Sequence, residues 1–197
     1  GTNLSLQGVH FEDARVGWAV GAGGVILHTR DGGKSWERQE SGTSADLAAV
    51  HFVDRRKGWA VSWRGTLVRT TDGGKRWQEL GSPPGDSLYD VDFVSGRIGW
   101  AVSYAGSLFS TEDGGKTWTR VNAGTERALH ALHFVTPSQG WAVGEAGSVI
   151  HTEDGGESWS TQSTPATAAL EAVYFSDPQH GWAVGENGTI LYTENGG

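Results

Sequence analysis

The chain has 197 residues, a net charge of −8, 31 glycines, 10 tryptophans and no cysteine. Disulfides and thiolate chemistry are excluded, and the acidic balance offers no general attraction for nucleic acid. No apolar run approaches the roughly 20 residues that cross a bilayer, so membrane insertion is not expected.

Gly1-Thr2-Asn3-Leu4 matches Gly42-Thr43-Ser44-Ala45 in phase, so the start reads as fold rather than as a leader or tag. The element Gly-Trp-Ala-Val follows, with its tryptophan at Trp18, Trp59, Trp100, Trp141 and Trp182, a constant step of 41 residues. A second element, Thr-x-Asp-Gly-Gly, keeps the same step through Asp31, Asp72, Asp113 and Asp154 and ends with Asn195 in the aspartate's place. Repeats of roughly 40 to 50 residues that carry several short strands are the signature of propeller blades.

The second copy shows one blade. Leu47 to Phe52 has strand character, Asp54-Arg55-Arg56-Lys57-Gly58 is turn material, and Trp59 to Ser62 is a second strand. Arg64-Gly65 closes a tight turn into a third strand, Thr66 to Thr70, and after Asp72-Gly73-Gly74 the fourth runs from Lys75 to Leu80. The expected fold is therefore all-β: one domain over residues 1–197, a β-propeller of five 41-residue blades with four antiparallel strands each, in repeats of about 1–41, 42–82, 83–123, 124–164 and 165–197. The fifth copy stops eight residues short of a full repeat, so its blade is expected to lack the outer strand. An unpaired edge invites pairing, so self-association through this blade is one expectation. Three arrangements answer it: a piece of a longer protein, a closed five-bladed ring with one thin blade, or several chains assembled together.

Asp31, Asp72, Asp113, Asp154 and Asn195 are read as turn-holders, because a side-chain oxygen can accept backbone N–H groups while the glycines supply the positive dihedral angles. The repeat-invariant tryptophans are read as packing between blades. Trp63 departs from that pattern: it lies in the turn between the second and third strands, and Tyr104 shares its phase in the next blade. Trp63, Arg64 and Tyr104 on one rim form a candidate surface for a glycan or a peptide side chain. His10, His51, Asp92, His133 and Tyr174 share one phase in the first strand and are expected to line the axis, without a metal site. No cofactor is expected, and no catalytic group is assigned. Glu145 and Glu186, in adjacent blades, are the one carboxylate pair worth testing for glycoside chemistry. Charge is uneven: residues 42–82 carry seven cations against four carboxylates, net +3, which leaves −11 for the rest.

The string Gly-Trp-Ala-Val-Gly-x-x-Gly-x-Ile-x-x-Thr-x-Asp-Gly-Gly, followed by Trp after two intervening residues, resembles the repeat of the Ycf48-like photosystem II assembly factor family and of the wider BNR or Asp-box propellers. The resemblance covers essentially the whole chain. It implies a non-catalytic, protein-binding scaffold, an extracytoplasmic setting in the periplasm or thylakoid lumen, and contact through a basic face. Arg55, Arg56, Lys57, Lys75 and Arg76 are the candidate contact residues, since their turns open on the same face. The family has seven blades where five repeats are present here. Two alternatives stay open: a lectin-like or glycosidase-derived Asp-box module that binds glycans, and an engineered or recently amplified propeller with no natural ligand.

Overall fold

The computed structural model describes residues 2–81, 83, 87–103 and 105–197. Five antiparallel sheets follow one another along the chain. The first holds β1 (Leu6–Phe11), β2 (Gly17–Gly21), β3 (Ile26–Thr29) and β4 (Glu37–Gln39). The second holds β5 (Leu47–Phe52), β6 (Gly58–Ser62), β7 (Leu67–Thr70) and β8 (Gln78–Leu80). The third holds β9 (Leu88–Phe93), β10 (Gly99–Ser103), β11 (Leu108–Thr111) and β12 (Thr119–Val121). The fourth holds β13 (Leu129–Phe134), β14 (Gly140–Gly144), β15 (Val149–Thr152) and β16 (Ser160–Gln162). The fifth has three strands, β17 (Leu170–Phe175), β18 (Gly181–Gly185) and β19 (Ile190–Thr193). This is the five-bladed propeller architecture that the repeats predict. The outer strand is shorter than expected, starting at Gln78 rather than Lys75, because the Asp72 carboxylate takes the Arg76 N–H at 3.0 Å and holds Lys75 and Arg76 in the turn.

The blades are joined by aromatic stacking. Trp18 lies flat on Phe52 of the next blade with ring centroids 3.5 Å apart, and Trp59 on Phe93, Trp100 on Phe134 and Trp141 on Phe175 repeat the contact at 3.5–3.7 Å. Phe52, Phe93 and Phe134 also meet edge-on the tryptophan that precedes the fourth strand of their own blade, Trp77, Trp118 and Trp159, at 5.8–6.1 Å. The phenylalanine ring spreads over the glycine paired with it on the second strand. A Cβ on Gly17 would come within 2.7 Å of the Phe11 ring, and one on Gly140 within 2.6 Å of Phe134. The glycine of Gly-Trp-Ala-Val is thus the space in which the stacking phenylalanine lies.

First strands pack side by side around the axis, β1 on β5, β5 on β9, β9 on β13 and β13 on β17, and the series stops there. The five blades form an open arc, so of the arrangements the repeats allow, the closed five-bladed ring is not the one observed. Phe11 is 43% and Val9 64% exposed on the first blade, while Trp182 is 40% and Ile190 72% exposed on the fifth. Trp18, Trp59 and Trp141, which have a following blade, are fully buried. Each step between blades is set by the same stack, and four such steps do not bring the fifth blade back to the first.

Trp59→Ala removes a fully buried indole that also donates Nε1–H to the Gly114 carbonyl at 2.9 Å. It is expected to cost about 3–5 kcal/mol in urea denaturation, against about 1 kcal/mol or less for Trp182→Ala, whose ring is 40% exposed on the fifth blade. Equal losses would contradict the interblade role of the stack.

Candidate functional site

Two kinds of turn make up the first rim, and both are held by side-chain oxygens. Between the first and second strands, Asp13 Oδ1 accepts the N–H groups of Arg15 and Val16, and Asp54 Oδ1 accepts those of Arg56 and Lys57. Ser95, Thr136 and Asp177 do the same in the other blades. Between the third and fourth strands, Thr29 Oγ1 accepts the Gly33 N–H and donates to Asp31, whose two oxygens also take the Ser35 N–H and hydroxyl. These donors, the Ser35 hydroxyl foremost, hold the Asp31 carboxyl down to about 2, and equivalent bonds do the same to Asp113 and Asp154. Asp72 is lowered by the Arg76 N–H first. Asn195 accepts the Thr193 hydroxyl at 2.9 Å and the Gly197 N–H. The aspartate oxygens are occupied within the turns.

This rim places the basic residues. Arg55 reaches back across the blade boundary and binds Asp13 Oδ2 through Nε and Nη2 at 3.0 and 2.6 Å. The N–H groups of Arg15 and Val16, then the Arg55 guanidinium, hold the Asp13 carboxyl down to about 2. Arg55 and Lys75 open onto a cleft of about 350 Å³ between blades 1 and 2, which they line with Arg15, Arg30, His28 and Asp72. Burial and the Arg30 charge lower the His28 pKa, and its ring stacks on Trp18. Of the other candidate cations, Lys57 lies 3.6 Å from Asp54, Arg76 Nε lies 3.0 Å from Asp72, and Arg56 is exposed outside the cleft. Arg15 and Arg30 were missed by reading blade 2 alone. Arg15 has the phase of Arg56 one repeat earlier, and that signal was available in the sequence.

The opposite rim carries the turns between second and third strands. Trp63 is 39% exposed there and Arg64 is exposed beside it, while the Ser62 hydroxyl accepts the N–H groups of Arg64 and Thr66. Tyr104, the third member of that candidate surface, lies outside the described residues. Glu145 and Glu186 line a hollow of about 620 Å³ together with Tyr89, His130 and Glu171. The last three occupy the position at which each first strand bulges, and His130 Nδ1 lies 3.2 Å from Glu171 Oε1. A bulge re-aims a side chain. Alternation along a strand does not reveal it.

Along the axis, Asp92 ties three blades together. His51 Nδ1 lies 3.1 Å from Asp92 Oδ1, His133 Nδ1 lies 3.6 Å from Oδ2, and the Phe134 N–H donates to Oδ2 at 2.7 Å. Burial would raise the Asp92 carboxyl, but His51, His133 and this N–H outweigh it and hold it below its ordinary value. Asp90 is pushed up to about 7 by burial, although it accepts the Leu132 and Val91 N–H groups. His10 and His51 have ring centroids 4.9 Å apart. Among the described residues no group of three or more histidines and carboxylates is arranged to hold a metal ion.

Antiparallel blades stacked on tryptophan and closed by Thr-x-Asp-Gly-Gly turns define an Asp-box β-propeller. A family model described as photosynthesis system II assembly factor YCF48 matches residues 36–124 and 79–164, and the chain belongs to this family. YCF48 from Cyanidioschyzon merolae superposes with a TM-score of 0.78 at 22% identity, over 98% of this chain and 68% of that one. A structure of YCF48 bound to D1 peptide gives a TM-score of 0.56 at 19% identity, over 98% and 94% of the two chains. An ancestral GH74 enzyme gives 0.69 at 15% identity, over 98% of this chain and 31% of that one. At these identities the likeness is one of fold. No curated protein matches in sequence. No helix among the described residues is long and apolar enough to cross a membrane.

Burial, then the charge on His51, pushes the His10 imidazole from 6.5 down to about 4. Its buried Nε2 has no hydrogen-bond partner, the nearest Glu12 oxygen being 4.0 Å away. The folded protein binds this proton more weakly than the unfolded chain, so stability is full above about pH 6.5 and is lost as the pH falls towards 4. His10 alone is expected to remove about 2 kcal/mol between pH 7 and 5. His10→Gln should therefore lose correspondingly less on acidification, read as the shift in urea midpoint at the two pH values.

Proposed function

We propose that this protein is a non-catalytic, assembly-factor-type propeller that holds an acidic segment of a protein partner in the basic cleft between blades 1 and 2. The observation that carries this reading is the convergence of Arg15, Arg30, Arg55 and Lys75 on one cleft whose single carboxylate, Asp72, is already engaged by Thr70 and Arg76. Guanidinium groups suit carboxylate recognition through paired hydrogen bonds, and Lys75 adds a point charge. Arg56, Lys57 and Arg76, on the same rim, extend the field that steers such a segment into the cleft. Membership of the YCF48 family and the fold shared with a YCF48 bound to D1 peptide support a protein partner. The same membership supports an extracytoplasmic location.

The glycan-binding alternative rests on Trp63, a large aromatic 39% exposed on the other rim. Its prediction is distinct: Trp63→Ala abolishes binding in a glycan screen and leaves peptide binding at the basic cleft unchanged.

A labelled D1-type peptide is the first ligand to titrate. The combined variant Arg15→Ala, Arg30→Ala, Lys75→Ala is expected to weaken its binding at least roughly tenfold. Raising salt from about 0.05 to about 0.5 M should weaken it several-fold. Affinity indifferent to both changes would refute the electrostatic cleft.

A further inference from the structure

At the first rim the junctions between blades share one plan, and the junction between blades 3 and 4 departs from it. The second-strand tryptophan is paired across the ladder with a third-strand residue: Trp18 with His28, Trp59 with Arg69, Trp100 with Ser110 and Trp141 with His151. Three of these partners cover the indole, the imidazoles of His28 and His151 at 4.8 and 4.5 Å and the Arg69 guanidinium at 5.4 Å. Ser110 has neither ring nor cation. A cleft of about 480 Å³ opens there, lined by Trp100, Ser110, Glu112, Arg120, Asp154 and Glu157, among others.

This cleft repeats the basic cleft two blades further on, with its charge reversed. Glu112 stands at the phase of Arg30, Glu157 at that of Lys75 and Pro137 at that of Arg55. Three carboxylates line it against one cation, Arg120, and the Asp154 oxygens are already taken by Thr152 and Ser158. An independent feature lies at its inner end: Trp100 is 1% exposed, and its buried Nε1–H has no hydrogen-bond partner among the described residues. In Trp59 and Trp141 the same atom donates to the Gly114 and Gly196 carbonyls. The Trp100 Nε1 lies at Gly156, where a Cβ would come within 2.5 Å of it, and Gly156 lines the cleft as well. A buried donor without a partner calls for an acceptor.

Blade 2 shows which cation suits the position. The Arg69 guanidinium lies over Trp59 and donates Nη2–H to the Gly96 carbonyl at 3.3 Å. One repeat later that carbonyl belongs to Pro137, which lines the open cleft. Where the chain supplies its own arginine the flanking residues are Thr71 and Lys116, and where it does not they are Glu112 and Glu157. We propose that the cleft between blades 3 and 4 is a second recognition site, which takes an arginine-bearing extended segment of a partner polypeptide. The guest guanidinium takes the position that Arg69 holds in blade 2, between Glu112 and Glu157, and a main-chain carbonyl of the segment accepts the Trp100 N–H. A free cation meets only the first requirement, and an acidic segment only the second. The site shares no lining residue with the basic cleft between blades 1 and 2, so the two can be tested independently.

The probe is the peptide acetyl-Gly-Gly-Arg-Gly-Gly-amide, titrated into the isotopically labelled full chain and followed by NMR at the Trp100 indole N–H signal. A saturable shift of that signal is expected. Replacing the peptide's arginine by citrulline, which keeps the shape and removes the charge, should weaken binding at least roughly tenfold. The combined variant Glu112→Gln, Glu157→Gln should give a comparable loss, and both side chains are exposed, so the fold is kept. Ser110→His, which restores the ring of blades 1 and 4, should block the site, and the citrulline peptide decides the matter even if that variant unfolds. Arg15→Ala, Arg30→Ala, Lys75→Ala should leave this binding unchanged while it weakens the basic cleft. Absence of saturation up to about 10 mM, equal binding of the citrulline peptide, or undiminished binding by the Glu112 and Glu157 variant overturns the proposal.

Discussion

The stack of a second-strand tryptophan on the first-strand phenylalanine of the following blade is the contact on which the rest of the molecule depends. It is repeated four times with ring centroids 3.5–3.7 Å apart, and it fixes three things together. It requires glycine at the head of Gly-Trp-Ala-Val, because the phenylalanine ring occupies the space a Cβ would need. It sets the step between blades, and so the curvature of the arc. It also places each Asp-Gly-Gly turn beside the tryptophan of the blade before it, where the Gly114 and Gly196 carbonyls accept indole N–H groups from Trp59 and Trp141.

A frame held in this way leaves its rims free to differ. The same side-chain-to-backbone turn is built from Asp13, Asp54, Ser95, Thr136 and Asp177, so the residues between can vary without loss of the fold. Cations accumulate on that rim in the first two blades, and carboxylates gather on the opposite rim at Glu145, Glu171 and Glu186. A single scaffold thus presents a basic cleft on one face and an acidic hollow on the other. Opposed fields of this kind orient a charged partner as well as attract it.

Inside the arc the polar residues are organised around one buried carboxylate. Asp92 accepts from the backbone of the next blade and lies between His51 and His133, so blades 2, 3 and 4 share its charge. Its neighbour Asp90, without an imidazole in contact, is raised instead, and His10, without a hydrogen-bond partner for Nε2, is lowered. Two carboxylates two residues apart on one strand, Asp90 and Asp92, are thus shifted in opposite directions because their local partners differ.

The blade was legible in the sequence because its determinants are local and repeated: a fixed 41-residue step, alternating apolar positions, and turns whose glycines and aspartates announce their own hydrogen bonds. The Asp31 and Asp72 turns, the buried Trp18 and Trp59, and a fifth blade of three strands could all be read from one repeat and its copies. Everything that depends on two blades meeting in space had to come from the tertiary structure. That holds for the opening of the arc between Phe11 and Trp182, for the cleft that joins Arg15 and Arg30 to Arg55 and Lys75, and for the bulges that turn Tyr89, His130 and Glu171 towards one hollow. The reason is physical: strand pairing and turn chemistry act within a few residues along the chain, whereas curvature and cleft formation depend on the angle at which large rings stack between separate sheets.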